Sequence, residues 1–216
     1  MTEFVYSPPD QPLSVIHEDR DFVIVDKPAG LLSVPGRGED RADCLITRLR
    51  AVWPEILLVH RLDLDTSGVM VFARNKSAQG AISQQFEKRV VDKQYVARLA
   101  GLVGPDQGRV DLPLIVDWPN RPRQHVNHET GRPARTDWQV IARGQEETRM
   151  RLIPLTGRSH QLRVHMAALG HPILGDTLYA TGDAMDHPRL MLHAETLALR
   201  HPRTDAALSF TAPLPF

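Results

Sequence analysis

Two carboxylates stand close together in the segment LLVHRLDLDTSGVMVFA, residues 57–73. His60 and Arg61 come just before Asp63 and Asp65, and two hydroxyl residues and a glycine follow. An aspartate can act as a general base, as a nucleophile or as a metal ligand. Aspartates are equally common as turn residues, because their side chains bond to the neighbouring backbone. The residue types alone leave open which carboxylate, if either, takes part in a reaction.

Arginine is concentrated in two stretches, although the chain as a whole is neutral, with 26 basic and 26 acidic side chains. The first stretch contains Arg121, Arg123, Arg132 and Arg135, and the second contains Arg149, Arg151, Arg158 and Arg163. A local arginine face can hold a phosphate backbone even when the total charge is zero. The alternative is an ordinary solvated surface.

The sequence does not predict a metal site or a disulfide. Among the ten histidines there is no HxH pair and no HExxH motif, and the group His125, His128 and Glu129 is the nearest approach to a ligand cluster. A single cysteine, Cys44, excludes an internal disulfide. An alternative hypothesis for the aspartate segment is a hydrolase that binds a metal through His60, Asp63 and Asp65.

The whole chain of 216 residues is short enough for one globular domain. Residues 1–12 are rich in proline and predict an irregular arm, and residues 13–216 predict a single domain. No signal pattern and no apolar run long enough to cross a bilayer is visible, so we expect a cytoplasmic protein without a membrane partner.

Apolar spacing predicts more strands than helices. Three segments have helical spacing. DCLITRLRAVW has a stripe of Leu45, Ile46, Leu49, Val52 and Trp53, and KSAQGAISQQFEKR has Ala78, Ile82 and Phe86 spaced by four. SHQLRVHMAALG is predicted to begin at Ser159 and to end at Gly170, with Leu162, Met166 and Leu169 on one face. The strands include VMVFAR, KQYVARLAGLV, TDWQVIA, TRMRLIPL and RLMLHAETLAL. Because strands and helices do not alternate regularly, we predict an α+β fold with a largely antiparallel or mixed central sheet, flanking helices and a cleft across it.

Five segments together resemble one enzyme family. HRLDLDTSGVMVFA is similar to the HRLDxxTSG signature of the RluA-type pseudouridine synthases, and DRDFVIVDKPAGLLSVPG is similar to their opening strand and KPxG turn. KQYVARLAG, LTGRSHQLRVHMAALGHPILGD and RLMLHAETLAL resemble three further family segments in the same order. The resemblance covers residues 13–216, and residues 111–138 resemble the dual-specificity subgroup that modifies large-subunit ribosomal RNA and transfer RNA. Because few residues precede residue 13, we expect no S4-like RNA-binding domain of the kind that several relatives carry.

The resemblance implies an RNA-binding enzyme that converts uridine to pseudouridine without a cofactor, and a monomer suits this activity. Asp63 falls on the family's catalytic aspartate, Tyr95 on the tyrosine that stacks on the target base, and Arg163 on the arginine that pairs with the aspartate. Arg61 matches an arginine that enters the RNA where the base has left. The same comparison places Leu62 and Leu155 in the pocket lining.

Three features remain open at the level of sequence. The TGRSH turn predicts a corner where Arg158 and backbone N–H groups hold a phosphate, and Arg121 and Arg123 are further candidates for phosphate binding. Asp63 could attack C1′ of the ribose or take a proton from C2′. A catalytically inert RNA-binding or assembly module on the same fold is the alternative to an enzyme.

Overall fold

The computed structural model describes residues 5–216, and residues 5–12 of the predicted arm contain no helix or strand. Residues 1–4, which belong to the same prediction, lie outside the described part. The described chain divides into two compact units. Of the described residues, 5–92 together with 194–213 form the first unit, and 93–193 with 214–216 form the second.

The first unit is a sheet with two helices. Its strands are β1 (Ser14–Glu18), β2 (Phe22–Lys27), β3 (Leu57–Leu58) and β4 (Ser67–Ala73), with β11 (Leu192–Arg200) and β12 (Ala207–Thr211) from the end of the chain, and its helices are α1 (Leu45–Val52) and α2 (Lys76–Glu87). The strand order is β1-β2-β4-β11, with β3 paired to β4 and β12 to β11. The pairs β1–β2, β2–β4, β3–β4 and β11–β12 are antiparallel.

Helix α2 covers one face of this sheet because its apolar residues recur every four positions. Asn75 caps the helix by accepting a hydrogen bond from the Ala78 amide at 2.8 Å. Ile82 joins a buried cluster with strand residues, namely Phe22, Ile24, Val69, Val71, Leu197 and Leu199. The resulting core supports β2 and β4, and β4 directly follows the aspartate segment in sequence.

Gly68 is required for close packing at the start of β4. Its φ of +117° is a conformation that side chains rarely adopt. A Cβ atom at this position would overlap the Ala194 backbone carbonyl. The glycine that ends the aspartate motif therefore lies in a strand and permits close approach of a neighbouring strand.

The second unit contains four antiparallel strands, a separate hairpin and one helix. The strands are β5 (Asp92–Ala100), β6 (Gln107–Asp111), β9 (Arg135–Arg143) and β10 (Glu147–Pro154), in the order β5-β10-β9-β6. The hairpin pairs β7 (Leu114–Val116) with β8 (Gln124–Val126), and the helix is α3 (Gln161–Ala168). Leu162 and Met166 of α3 pack into the core of this unit with Met150, Leu152 and Ile173.

The predicted α+β class is confirmed, whereas the predicted start of α3 at Ser159 is wrong. His160 has a φ of +52°, so the helix begins only at Gln161. Every residue from Gln161 to Met166 is buried, which a stripe of Leu162, Met166 and Leu169 does not predict. Over residues 5–216, no helix is long and apolar enough to cross a membrane.

Candidate functional site

The loop that carries Asp63 is fixed to its own unit through the Leu64 carbonyl. This oxygen accepts hydrogen bonds from the Lys27 Nζ atom at 2.9 Å and from the Gly30 amide at 3.0 Å. Lys27 is fully buried, and its ammonium group also donates to the carbonyls of Pro28 at 2.9 Å and Leu31 at 2.6 Å. The lysine and glycine of the KPAG turn therefore position the backbone directly after Asp63.

Further contacts, made by Leu62 and His60, fix the residues just before Asp63. The buried Ser33 hydroxyl donates to the Leu62 carbonyl at 2.7 Å and accepts from the Leu62 amide at 3.2 Å. His60 accepts a hydrogen bond from the Val71 amide through Nε2 at 3.1 Å, and its ring stacks on Phe86 with a centroid distance of 4.7 Å. His60 thus has a structural role, because Nε2 is occupied by the backbone of β4.

Asp63 opens a turn. The Thr66 amide donates to the Asp63 carbonyl at 3.2 Å, so this segment is a turn and not an extended strand. The rule that side chains alternate between the two faces of a strand therefore does not predict the directions of Asp63 and Asp65. Both aspartates are half-buried, whereas Arg61 is exposed and Leu62 is buried. The loop therefore presents a guanidinium and a carboxylate, two residues apart, from a backbone that is held at several points.

Tyr95 lies in the middle of β5, opposite Leu152 of β10. Its side chain is half-buried and packs against the core of the second unit. Lys93 precedes Tyr95 by two positions and shares its face of the strand. Burial lowers the pKa of Lys93 from its ordinary value. Leu155, just beyond β10, is exposed.

Arg163 is buried and bound to a carboxylate that the sequence analysis did not single out. Its Nε atom donates to Asp176 Oδ2 at 2.8 Å, and Nη2 donates to Oδ1 at 2.6 Å. Asp176 also accepts from the amides of Leu178 at 2.9 Å and Tyr179 at 3.1 Å. This bidentate pair fixes the plane of the guanidinium. The pairing of Arg163 with Asp63 stays a prediction.

Tyr179 connects Arg163 with the β7–β8 hairpin. The guanidinium carbons of Arg163 and Arg123 lie 5.2 Å and 5.4 Å from the centroid of its ring. Its hydroxyl accepts from the Gln124 amide at 2.7 Å and is bonded to His160 Nδ1 at 2.8 Å. Burial raises the pKa of the phenol, so it remains protonated at neutral pH.

The TGRSH turn is held by a side chain from α3. The Oε1 atom of Gln161 accepts from the Thr156 hydroxyl at 2.7 Å and from the Arg158 amide at 3.0 Å. The Arg158 Nε atom donates to the Pro133 carbonyl at 3.2 Å. The backbone amide and the Nε atom of Arg158, both part of the predicted phosphate-binding corner, therefore already donate hydrogen bonds to protein atoms.

One group of possible metal ligands occurs within residues 5–216, and it lies away from the aspartate motif in sequence. Oxygen and nitrogen atoms of Asp19, Asp21 and His201 lie within 4.8 Å of one another. The Arg203 Nε atom already donates to Asp21 at 2.8 Å, and Asp19 accepts from the amides of Asp21 and Phe22. These contacts account for the cluster as a network of charged hydrogen bonds.

Comparisons with known proteins identify the class to which this fold and these motifs belong. The family model described as RNA pseudouridylate synthase matches residues 21–168. The chain therefore belongs to the RNA pseudouridylate synthase family, and it is an enzyme that isomerises uridine in RNA.

Relatives and solved structures agree with this assignment. The dual-specificity RNA pseudouridine synthase RluA of Escherichia coli (strain K12) is 51% identical over 98% of each chain. The protein of the same name from Vibrio vulnificus (strain CMCP6) is 51% identical over 100% of this chain and 89% of its own. The solved structure of human RNA pseudouridylate synthase domain containing 1 is 31% identical, with a TM-score of 0.80 over 97% of this chain and 87% of its own.

Proposed function

We propose that Asp63 supplies the carboxylate that drives the isomerisation. The observation that carries this proposal is the anchored loop, in which Lys27, Gly30 and Ser33 bind the backbone of Leu62 and Leu64 on both sides of Asp63. A reacting group that is held in place before the substrate binds avoids much of the entropy cost of reaching the transition state.

The reaction breaks the N1–C1′ bond of uridine, turns the base and forms a C5–C1′ bond. A proton leaves C5 and N1 becomes protonated, so the product is an isomer and no redox step occurs. An ionised Asp63 could attack C1′ as a nucleophile or remove the C2′ proton so that the base leaves. Both routes require the charged carboxylate, and Arg163 is proposed to pair with it.

The other predicted residues have supporting roles in this proposal. A uridine stacked in a stem must be extruded, which costs a few kcal/mol. Tyr95 would stack on the extruded base and Arg61 would fill the gap that it leaves. Leu62 and Leu155 would line the pocket. The remaining candidates would bind phosphates, namely Arg158, Arg121 and Arg123.

The proposed substrates are stem-loops of large-subunit ribosomal RNA and the anticodon arm of transfer RNA. Two observations support this choice: residues 111–138 resemble the dual-specificity subgroup, and the relatives in Escherichia coli and Vibrio vulnificus are named dual-specificity synthases. We further propose that the protein acts as a monomer in the cytoplasm.

Release of tritium from RNA labelled at C5 of uridine tests the activity and its range together. We expect release from transcripts of both a large-subunit ribosomal RNA fragment and a transfer RNA, and the rate should not change when EDTA is added. Release from one transcript only would contradict dual specificity. Binding without release from any RNA would favour the inert module, and loss of activity in EDTA would favour the metal-dependent rival.

A further inference from the structure

The β7–β8 hairpin exposes a row of basic side chains. The hairpin comprises residues 114–126, and the chain from residue 118 to residue 128 contains no acidic residue. The charged residues of this row, Arg121 and Arg123, are both exposed. Asp117, at the end of β7, is bound by the Asn120 side-chain amide at 3.0 Å. The tip therefore offers positive charge to an anionic partner.

Trp118 is the unusual residue of this tip. It is 64% exposed, whereas the other two tryptophans, Trp53 and Trp138, are 9% and 5% exposed. The guanidinium of Arg121 lies over its ring, 4.6 Å from the centroid. An exposed indole with an arginine stacked on it forms a flat cationic surface, which suits the face of a nucleobase.

The tip is held in shape by its own backbone. The Asp117 amide donates to the Arg123 carbonyl at 2.9 Å, and the Arg123 amide donates to the Asn120 carbonyl at 3.0 Å. The Asn120 amide in turn donates to the Asp117 carbonyl at 3.1 Å. Little conformational entropy is lost when such a preformed surface binds a ligand.

The base of the hairpin, away from the tip, packs against α3. Leu114 and Val126 pack with Val164, and Tyr179 binds the Gln124 amide. The strands are therefore anchored to the second unit, while the tip that carries Trp118 points its ring into solvent.

We propose that Trp118 and Arg121 form a stacking site for an unpaired base of the substrate RNA, distinct from the nucleotide that is isomerised. This inference rests on the proposed function, because the partner is the substrate RNA. A protein partner fits less well, since Trp118 is the only large exposed hydrophobic side chain described in the hairpin, and the residues that follow it in the chain are prolines, arginines and an asparagine.

Tryptophan fluorescence tests the contact directly, because Trp118 is the only exposed tryptophan among residues 5–216. The probes are an RNA stem-loop with the sequence of a transfer RNA anticodon arm and the fully paired duplex of the same stem. We expect the stem-loop to quench the emission and to protect it from acrylamide, and the duplex to do neither. Replacing Trp118→Phe should remove both signals. Binding of the stem-loop, measured by anisotropy, with unchanged fluorescence would overturn the proposal.

Affinity measurements separate stacking from charge. We expect Trp118→Ala to raise the Kd for the stem-loop about tenfold and to leave the slope of log Kd against log salt unchanged. Arg121→Gln should lower that slope by about one. Leu102→Ala and Arg20→Gln, which alter an exposed leucine and an exposed arginine elsewhere, are matched controls. A Kd for Trp118→Ala equal to that for Leu102→Ala would refute stacking.

Tritium release by the same preparation distinguishes the two proposals. Release together with unchanged Trp118 fluorescence would refute only the stacking site. Lack of both RNA binding and tritium release would overturn the stacking site and the proposed function together.

Discussion

Lys27 is the residue whose role follows most directly from its contacts. Its ammonium group joins three backbone carbonyls, and one of them, that of Leu64, lies 37 residues away in the chain. A buried acceptor that loses its donor costs about 1–3 kcal/mol. Lys27 is thus a positioning residue for the loop that presents Asp63.

We predict that Lys27→Met lowers both the stability of the fold and the rate of tritium release. The thermal midpoint should fall by several degrees because methionine cannot donate to the three carbonyls. At a temperature where circular dichroism shows a folded variant, kcat should still fall about tenfold or more, since small displacements of a reacting group are costly. Lys88→Met, at an exposed lysine, is the control. A folded Lys27→Met protein with full kcat would show that Lys27 has no positioning role.

At the scale of elements, α3 is held to the rest of its unit by a buried polar network. His165 is fully buried, with Nδ1 bonded to the Thr136 hydroxyl at 2.9 Å and Nε2 bonded to the Leu112 carbonyl at 3.0 Å. Gln161 donates to the same Thr136 oxygen at 3.0 Å. Burial lowers the pKa of His165 below its ordinary value of 6.5, so the neutral imidazole is the folded form.

This network predicts how stability depends on pH. The unfolded chain binds the proton of His165 more tightly than the folded chain does. The contribution of His165 to the free energy of unfolding should therefore be complete above pH 6.5. It should decrease as the pH drops from 6.5 towards the lower pKa of the folded state. Urea unfolding between pH 5 and pH 7.5 measures this slope. His165→Gln should flatten it, whereas His128→Gln, at an exposed histidine, should not. Equal slopes for the wild type and His165→Gln would contradict the assignment.

At the scale of the whole molecule, local patterns predicted the regular elements and missed those that depend on distant contacts. Helix α2 was predicted from Ala78, Ile82 and Phe86, of which the first two are buried and the third is half-buried. The predicted stripe of α1 was wrong at Val52, which is exposed at the end of the helix. The β7–β8 hairpin was missed because its few apolar residues pack on Val164, far along the chain, and its tip is rich in proline and arginine.

The same limit applies to the candidate site. The resemblance to family motifs identified Asp63, Tyr95 and Arg163 as candidates. No rule of residue spacing, however, predicts the contact of Lys27 with Leu64 or that of Arg163 with Asp176. Asp176 is the last residue of the family-like segment LTGRSHQLRVHMAALGHPILGD, and this position is the signal by which the sequence could have identified it. Tyr179 had no comparable signal, because its partners come from the hairpin and from the start of α3.

The central claim, that one particular carboxylate performs the chemistry, is tested most directly by comparing Asp63→Asn with Asp65→Asn in single-turnover tritium release. Both changes remove one charge from the same half-buried loop and preserve its shape. We predict that Asp63→Asn abolishes release while the Kd for RNA stays within about tenfold of wild type, and that Asp65→Asn retains activity. Full release by Asp63→Asn, or an equal loss in Asp65→Asn, would contradict the assignment.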